Sequence, residues 1–131
     1  MGQYLIDTNV ITDYFSGAFS AKAMFFLADV IDKVPNLSVI TKIEALSWRN
    51  PSIAKEKILQ NFIRNANIIA LLDSIVNECI QIRRDCKAKT PDAIIAATAI
   101  VYNFTLITSD SGFNHIANIS NLNILNPYEI L

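Results

Sequence analysis

The chain has 131 residues, of which 52% are hydrophobic and 18% charged, with a formal net charge of -1 at pH 7 and a mean hydropathy of +0.33. This length fits a single domain over residues 1–131, and the composition excludes an intrinsically disordered chain. No stretch reaches the roughly 18 uninterrupted apolar residues of a membrane span, and no basic segment precedes an apolar one at the amino terminus. We therefore expect a cytoplasmic protein with no membrane association.

The cysteines and the histidine argue against a zinc site. Cys79 and Cys86 fall about two turns apart on one predicted helix, roughly 10 Å by helical rise, which is too far for a disulfide. Since His115 is the single histidine and no close cysteine pair occurs, zinc coordination and chemistry that needs a histidine base are disfavoured. We expect reduced cysteines that serve in packing and a histidine at or near the surface.

Strands and helices alternate along the predicted chain. An apolar run at residues 4–6 predicts a buried strand, which precedes helices at 10–15 and 21–33. The pattern continues with a strand at 37–40, helices at 42–49 and 52–65, a strand at 67–72 and a long amphipathic helix at 73–87. It ends with a helix from 90, a strand at 105–107, a short helix within 112–119 and an edge strand at 122–125. This order predicts an α/β fold in which a mostly parallel central sheet carries helices on both faces.

Turn and cap residues mark several helix ends. Gly17 is predicted to end the first helix. Thr41, followed three residues later by Glu44, fits a capping box and would be the N-cap of the third helix. Thr90 and Pro91 predict a helix start with threonine as the cap and proline at the first position.

Four acidic residues occupy similar junctions in this pattern. Asp7, Glu44 and Asp110 follow predicted strands, and Asp92 opens a helix that returns across the same edge. Each one alone is explained as a helix cap or a turn residue. Right-handed crossovers would bring all four to one rim of the sheet, where their charges would repel each other. Mg²⁺ or Mn²⁺, which prefers oxygen ligands and leaves positions open for a phosphate, would relieve that repulsion. The sequence therefore predicts a metal-dependent site for phosphate chemistry.

The basic residues are unevenly distributed, because every lysine and arginine lies within residues 22–89. Four of them crowd the approach to the Asp92 segment: Arg83, Arg84, Lys87 and Lys89. They are candidate contacts for an RNA phosphate backbone, and a solvated helix face is the alternative for each.

Four segments of the chain, taken in order, carry a family resemblance: Asp7-Thr8-Asn9, Thr41 to Glu44, residues 91–99 and Thr108-Ser109-Asp110. They resemble the successive motifs of PIN-domain ribonucleases, especially the VapC-like toxins of VapBC toxin–antitoxin systems. The resemblance implies a PIN-like three-layer sandwich with the activity of a Mg²⁺- or Mn²⁺-dependent endoribonuclease. It also implies a homodimer and a cognate antitoxin protein that blocks the acidic site.

The resemblance assigns roles residue by residue. The metal-binding and catalytic acids would be Asp7, Glu44, Asp92 and Asp110, and the supporting polar residues would be Thr8, Asn9 and Thr108. Ser109 and Gly112 depart from the family pattern, since many relatives carry an asparagine or basic residue and a further acid there. A homodimer interface is expected on the helix at 21–33 or on the long amphipathic helix.

Other functions remain open from the sequence. A non-catalytic PIN-fold module could dock RNA or protein, although it would gain little from four clustered acids. A PIN nuclease of RNA processing outside a toxin–antitoxin pair, or a structure-specific DNase, would use the same acids. A receiver-type phosphoacceptor domain would need a late lysine, and no basic residue follows Lys89.

Overall fold

The fold alternates short strands with helices. The computed structural model describes residues 3–131. The strands are β1 (Tyr4–Ile6), β2 (Asn36–Ser38), β3 (Asn67–Ile69), β4 (Thr105–Ile107) and β5 (Asn123–Leu125). The helices are α1 (Thr8–Ser16), α2 (Ala21–Asp32), α3 (Val39–Ser47), α4 (Ile53–Asn65), α5 (Asp73–Asp85), α6 (Thr90–Tyr102) and α7 (Asn114–Ile119). Turns of 3-10 helix precede α7 at Ser111–Phe113 and follow β5 at Pro127–Glu129.

The strands of this part of the chain form one parallel sheet in the order β3-β2-β1-β4-β5. Leu5 in the central strand lies opposite Asn36 of β2 on one side and Leu106 of β4 on the other. The chain builds outward from β1 to β3 and then returns to the other side of β1, so the strand order reverses between β1 and β4. In open α/β sheets, ligands bind beyond the carboxyl ends of the strands at such a point.

Hydrophobic cores lie on both faces of the sheet. Successive side chains of a strand point to opposite faces, so Leu5 and Leu106 pack on one face while Ile6 and Ile107 pack on the other. The first face is covered by α5, α6 and α7, and the second by α1, α2 and α4. The predicted α/β architecture, with a parallel sheet between two helical layers, is confirmed.

Helix α6 is buried over most of its surface because its side chains are small. Ala93, Ala96, Ala97 and Ala99 have no exposed surface. The helix packs along α5 and also contacts β2 and β4. This close packing fixes its first turn, which carries Asp92, against the carboxyl edge of the sheet.

The start of α3 differs from the prediction. Strand β2 ends at Ser38, whose Oγ accepts a hydrogen bond from the backbone N–H of Ile40 at 3.1 Å and caps the helix. Thr41 lies fully buried inside the first turn, and Glu44 lies in the second, so the predicted capping box is wrong. The β-branched Val39 and Ile40 favour a strand locally, but Ile40 packs into the core as part of the helix, and tertiary packing overrides that preference.

Other element ends lie closer to the prediction. Gly17 ends α1 with a φ of 73°, a left-handed conformation that glycine adopts without cost. Thr90 is the first residue of α6 and not its cap, because Lys89 occupies the N-cap position without a side-chain bond, and Pro91 follows in the first turn. The predicted strand at 67–72 is shorter and ends at Ile69.

The predicted free cysteines and surface histidine agree with the structure. Cys79 and Cys86 are free thiols, and His115 is exposed. Between residues 3 and 131, no single helix is long and apolar enough to cross a membrane. Helices α1 and α2 are long and apolar enough for a membrane span only when they are taken together, and the chain bends by 119° between them.

Candidate functional site

The candidate site begins at the reversal point between β1 and β4. Asp7 follows β1 directly, and its backbone N–H donates to the carbonyl of Ile107 at 3.0 Å, which extends the pairing of the two strands by one bond. Thr108 follows β4 in the same way. Because the strands are parallel and in register, their first residues beyond the sheet lie side by side.

Asp7 is buried and fully engaged in hydrogen bonds. Its Oδ2 accepts a bond from the Thr108 hydroxyl at 2.8 Å, and its Oδ1 accepts one from the Thr8 backbone N–H at 2.8 Å. The second bond makes Asp7 the N-cap of α1, so the structural role expected for this residue is present. Burial raises the pKa of Asp7 above its usual value, and the charges of Glu44 and Asp92 raise it further, although the two hydrogen bonds lower it.

Glu44 reaches the same rim from α3. The Thr8 hydroxyl donates to Glu44 Oε1 at 2.8 Å, which joins the first turn of α1 to the second turn of α3. The carboxylate is therefore brought to the site by a helix and not by the end of a strand. Its charge raises the pKa of both Asp7 and Asp92, so it lies close enough to act on both carboxylates.

Asp92 and Asp110 complete the acidic cluster. Burial raises the pKa of Asp92, and the charges of Asp110 and Glu44 raise it further, whereas Lys89 lowers it. Asp110 caps the 3-10 turn through a bond from the Gly112 N–H to its Oδ1 at 2.8 Å. A Cβ on Gly112 would lie 3.2 Å from Asp110 Oδ1, so a side chain there would require this carboxylate to shift by a few tenths of an ångström.

Thr108 connects two members of the cluster. Its hydroxyl donates to Asp7 and also accepts a bond from the Asp110 backbone N–H at 3.1 Å. Because the hydroxyl oxygen of Thr108 already accepts the bond from Asp110, its own hydrogen is directed at the Asp7 carboxylate. Thr108 is 1% exposed, so water does not compete for either bond.

Two buried oxygen atoms near these residues have no hydrogen-bond partner, namely Asn9 Oδ1 and Thr41 Oγ1. Asn9 follows Thr8 on α1, and Thr41 lies one turn before Glu44 on α3. Asn9 is among the supporting residues predicted from the sequence, whereas Thr41 was predicted as a helix cap and as the first residue of the Thr41–Glu44 motif, with no role of its own at the site. The spacing of three residues between Thr41 and Glu44 was the available signal for a role of Thr41 at the site. The capping-box interpretation explained the same spacing as helix capping.

The donor set fits a hard divalent cation with water in its coordination sphere. All candidate ligands are oxygen atoms of carboxylates, a carboxamide and hydroxyls, which Mg²⁺ and Mn²⁺ prefer. In the described chain, no three Asp, Glu, His or Cys side chains converge closely enough to hold a metal ion by themselves. Mg²⁺ usually binds one or two carboxylates and completes its coordination with water and substrate phosphates.

The four basic candidates separate into two places. Arg83, Lys87 and Lys89 line an open cleft between the α5–α6 connection and α7. Arg84 lines a different, mainly apolar cavity between α5 and α6, which Arg83 also borders.

Comparison with protein families gives a match over most of the chain, since the PIN domain model matches residues 4–119. No curated protein matches the sequence at a significant level.

Solved structures give extensive matches. A toxin–antitoxin complex from Klebsiella pneumoniae contains a chain with 28% identity and a TM-score of 0.71, and the alignment covers 98% of this chain and 100% of that one. FitAcB from Neisseria gonorrhoeae matches with 22% identity and a TM-score of 0.75, over 97% of this chain and 99% of that one. DNA-bound VapBC from Salmonella typhimurium matches with 18% identity, a TM-score of 0.73 and coverage of 97% and 99%. The last two show similarity of fold.

Proposed function

The chain belongs to the PIN-domain family, and on that premise we propose that it is a divalent-metal-dependent endoribonuclease and the toxin of a toxin–antitoxin pair. The observation that carries the proposal is the negative charge clustered at the β1–β4 reversal point. Asp7 and Asp92 both have a raised pKa there, mainly through burial, and neighbouring carboxylates contribute to each shift, while Lys89 offsets part of the shift of Asp92. A fold that keeps such a cluster gains stability when a divalent cation binds.

The residues of the site divide into acids that would bind the cation and threonines that orient those acids. The candidate ligands of Mg²⁺ or Mn²⁺ are Asp7, Glu44, Asp92 and Asp110. Thr108 orients the Asp7 carboxylate and Thr8 orients that of Glu44, each through a hydrogen bond of 2.8 Å. Asn9 supplies a further buried oxygen that has no hydrogen-bond partner among residues 3–131. When bound, the cation supplies Lewis acidity toward the scissile phosphate and toward the attacking water. The expected products carry 5′-phosphate and 3′-hydroxyl ends.

An apolar groove beside the acids supports the antitoxin part of the proposal. The groove has a volume of about 230 Å³ and is lined by Phe15, Trp48 and Ile58, which are 44%, 55% and 52% exposed. Thr12 also lines it, one turn along α1 from the Thr8–Glu44 bond. An apolar segment of a small antitoxin bound here would lie next to the carboxylates and could cover them. The similarity to the toxin–antitoxin complex from Klebsiella pneumoniae supports the same partner.

Exposed apolar surface along α5 supports a homodimer. Ile80 is 52% exposed, and the adjoining cavity of about 600 Å³ is lined by apolar residues of α5 and α6 that include Val76 and Ile94. Light scattering over a range of concentrations should give a dimer mass for the wild type and a monomer mass for Ile80→Glu. A monomer mass for the wild type at every concentration would contradict the dimer.

Cleavage of RNA with mapped ends tests the enzymatic proposal. The purified protein, freed of any bound antitoxin, is incubated with a structured RNA pool with and without Mn²⁺, beside Asp92→Asn. Asp32→Asn, which changes an exposed carboxylate at the end of α2, is the matched control. We expect metal-dependent cleavage by the wild type and the control, none by Asp92→Asn, and 5′-phosphate ends. RNA that stays intact while Mn²⁺ binds would argue against the nuclease.

Growth of a bacterial host tests the toxin assignment separately. Induced expression of the wild type should arrest growth, and expression of Asp92→Asn at the same level should not. Continued growth with a wild type that cleaves RNA in vitro would favour an RNA-processing nuclease outside a toxin–antitoxin pair. The proposed substrate also places the protein in the cytoplasm, where cellular RNA is available.

A further inference from the structure

A cleft of about 900 Å³ lies between the α5–α6 connection and α7. Its charged lining consists of three cations, Arg83, Lys87 and Lys89, and one carboxylate, that of Asp85. The Asp85 carboxylate accepts a hydrogen bond from Gln81 at 2.9 Å. In residues 3–131, none of the three cations has an acidic oxygen within 4.0 Å, so their charge faces solvent without a partner.

Both walls of the cleft are connected along the chain to the acidic cluster. One wall leads through Lys89 into the first turn of α6 and Asp92, and the charge of Lys89 acts on that carboxylate. The other wall is α7, which follows the turn capped by Asp110 in the chain. A polyanion whose reacting phosphate lies at Asp92 would therefore meet Lys89 at the edge of the basic cleft.

The connection that carries the lysines is held in place. Arg83 Nε donates to the carbonyl of Ala88 at 3.2 Å, and the backbone N–H of Cys86 bonds to the carbonyl of Ile82 at 2.9 Å. These bonds fix the connection to the end of α5. Arg83 thus acts as a positioning residue, and its guanidinium still borders the cleft.

The opposite wall offers groups that suit a nucleotide. His115 is exposed and presents a planar ring, and Asn118 lies one turn further along α7 with amide donors and an acceptor. Ile119 adds an apolar surface beside them. Unstacked bases of single-stranded RNA stack on such rings, whereas the side chains of a purely acidic protein segment have no ring to stack there.

From these observations we infer that the cleft binds the single strand of RNA on one side of the scissile phosphate, with Lys87 and Lys89 on phosphates and a base stacked on His115. The inference rests on the proposed ribonuclease function and assigns part of the substrate to residues outside the acidic cluster. Arg84 belongs to the other cavity and has no role in this cleft.

Binding of a fluorescein-labelled, mixed-sequence single-stranded RNA, followed by fluorescence anisotropy in the uncleaving Asp92→Asn background, tests the inference. Adding Lys87→Ala and Lys89→Ala should weaken binding about tenfold or more at low salt and reduce the slope of log K against log salt by about 1.4, as expected for two lost phosphate contacts. Lys57→Ala, an exposed lysine of α4, is the matched control and should change neither quantity.

The histidine is tested by a pair of substitutions in the same background. His115→Ala should weaken binding about fivefold or more, in the range of one lost stacking contact, and His115→Phe should restore it because the ring is kept. A double lysine variant with wild-type affinity and salt slope, in a protein whose wild type cleaves RNA, would overturn the inference and leave the nuclease intact. Equal competition by polyglutamate would overturn the RNA assignment of the cleft. A wild type that neither binds nor cleaves RNA would overturn the proposed function, and the inference with it.

Discussion

The hydroxyl of Thr108 donates to Asp7 Oδ2 at 2.8 Å, and this buried bond joins residues 101 positions apart in the sequence. It connects the ends of β1 and β4, the two strands between which the sheet reverses its order. The same hydroxyl accepts a bond from Asp110 N–H, so one side chain positions two of the four acids. Thr108 therefore holds Asp7 and Asp110 at the carboxyl edge of the sheet, to which helices α3 and α6 bring Glu44 and Asp92.

Removing this hydroxyl should destabilise the protein. Thr108→Val keeps the shape of the side chain but leaves the buried Asp7 Oδ2 and the Asp110 N–H without these hydrogen bonds. We expect the free energy of unfolding at neutral pH to fall by about 1–3 kcal/mol, measured by urea denaturation. Thr108→Ser retains the hydroxyl and should keep most of the stability. A valine variant as stable as the wild type would show that the bond contributes nothing.

The pH dependence of stability should carry the signature of Asp7. Its pKa in the folded protein is raised above 3.8, so the folded state binds a proton more tightly than the unfolded state. The contribution of this group is therefore favourable at low pH and is lost as the pH rises from 3.8 through the folded pKa.

The variant Asp7→Asn isolates that contribution, because it removes the charge and keeps a side chain that caps helices well. In metal-free buffer, the variant should gain stability relative to the wild type as the pH rises from 3.8 to neutrality, in urea denaturation at a series of pH values. Asp32→Asn controls for the loss of one exposed charge. A difference between Asp7→Asn and the wild type that is constant with pH would contradict a raised pKa.

Divalent cations should stabilise the folded protein through the same charges. A ligand that binds the folded state alone adds about 2.7 kcal/mol at a free concentration of 100 times its Kd. We expect Mn²⁺ to raise the midpoint of thermal unfolding of the wild type and of Asp32→Asn, and to raise that of Asp92→Asn much less. Equal shifts in all three proteins would mean that Mn²⁺ binds elsewhere.

Val34 has a φ of 41°, which is unfavourable for a β-branched residue, and its side chain is 61% exposed. Since asparagine tolerates a positive φ, Val34→Asn should raise the free energy of unfolding by about 1 kcal/mol. Asn103 has a φ of 57° at the C-cap of α6, so Asn103→Val should lower it by a similar amount. Urea denaturation of the two variants measures both effects, and a destabilised Val34→Asn would show that the valine side chain has a packing role.

The sequence by itself determined the elements whose signals are local. The apolar run of β1, its sharp end at Asp7 and the glycine at the end of α1 require only neighbouring residues, and they occur where predicted. The alternation of strands and helices was sufficient for a parallel sheet between helical layers, because short crossovers allow few other arrangements.

Only the tertiary structure decided how α3 begins and how Glu44 reaches the site. Ser38 and Thr41 are both good caps by residue type, and the choice between them depends on whether Ile40 extends a strand or packs into the core within a helix. That choice moved Glu44 from the predicted first turn of the helix to its second turn, where Thr8 from another helix fixes it.

Only the tertiary structure decided how the acids and the basic residues are arranged in space. Their positions in the sequence do not reveal that Thr108 connects Asp7 to Asp110, or that His115 and Lys87 line the same cleft. Such contacts join residues that are distant in the chain, and they form only when the packed helices and the order of the strands bring them together.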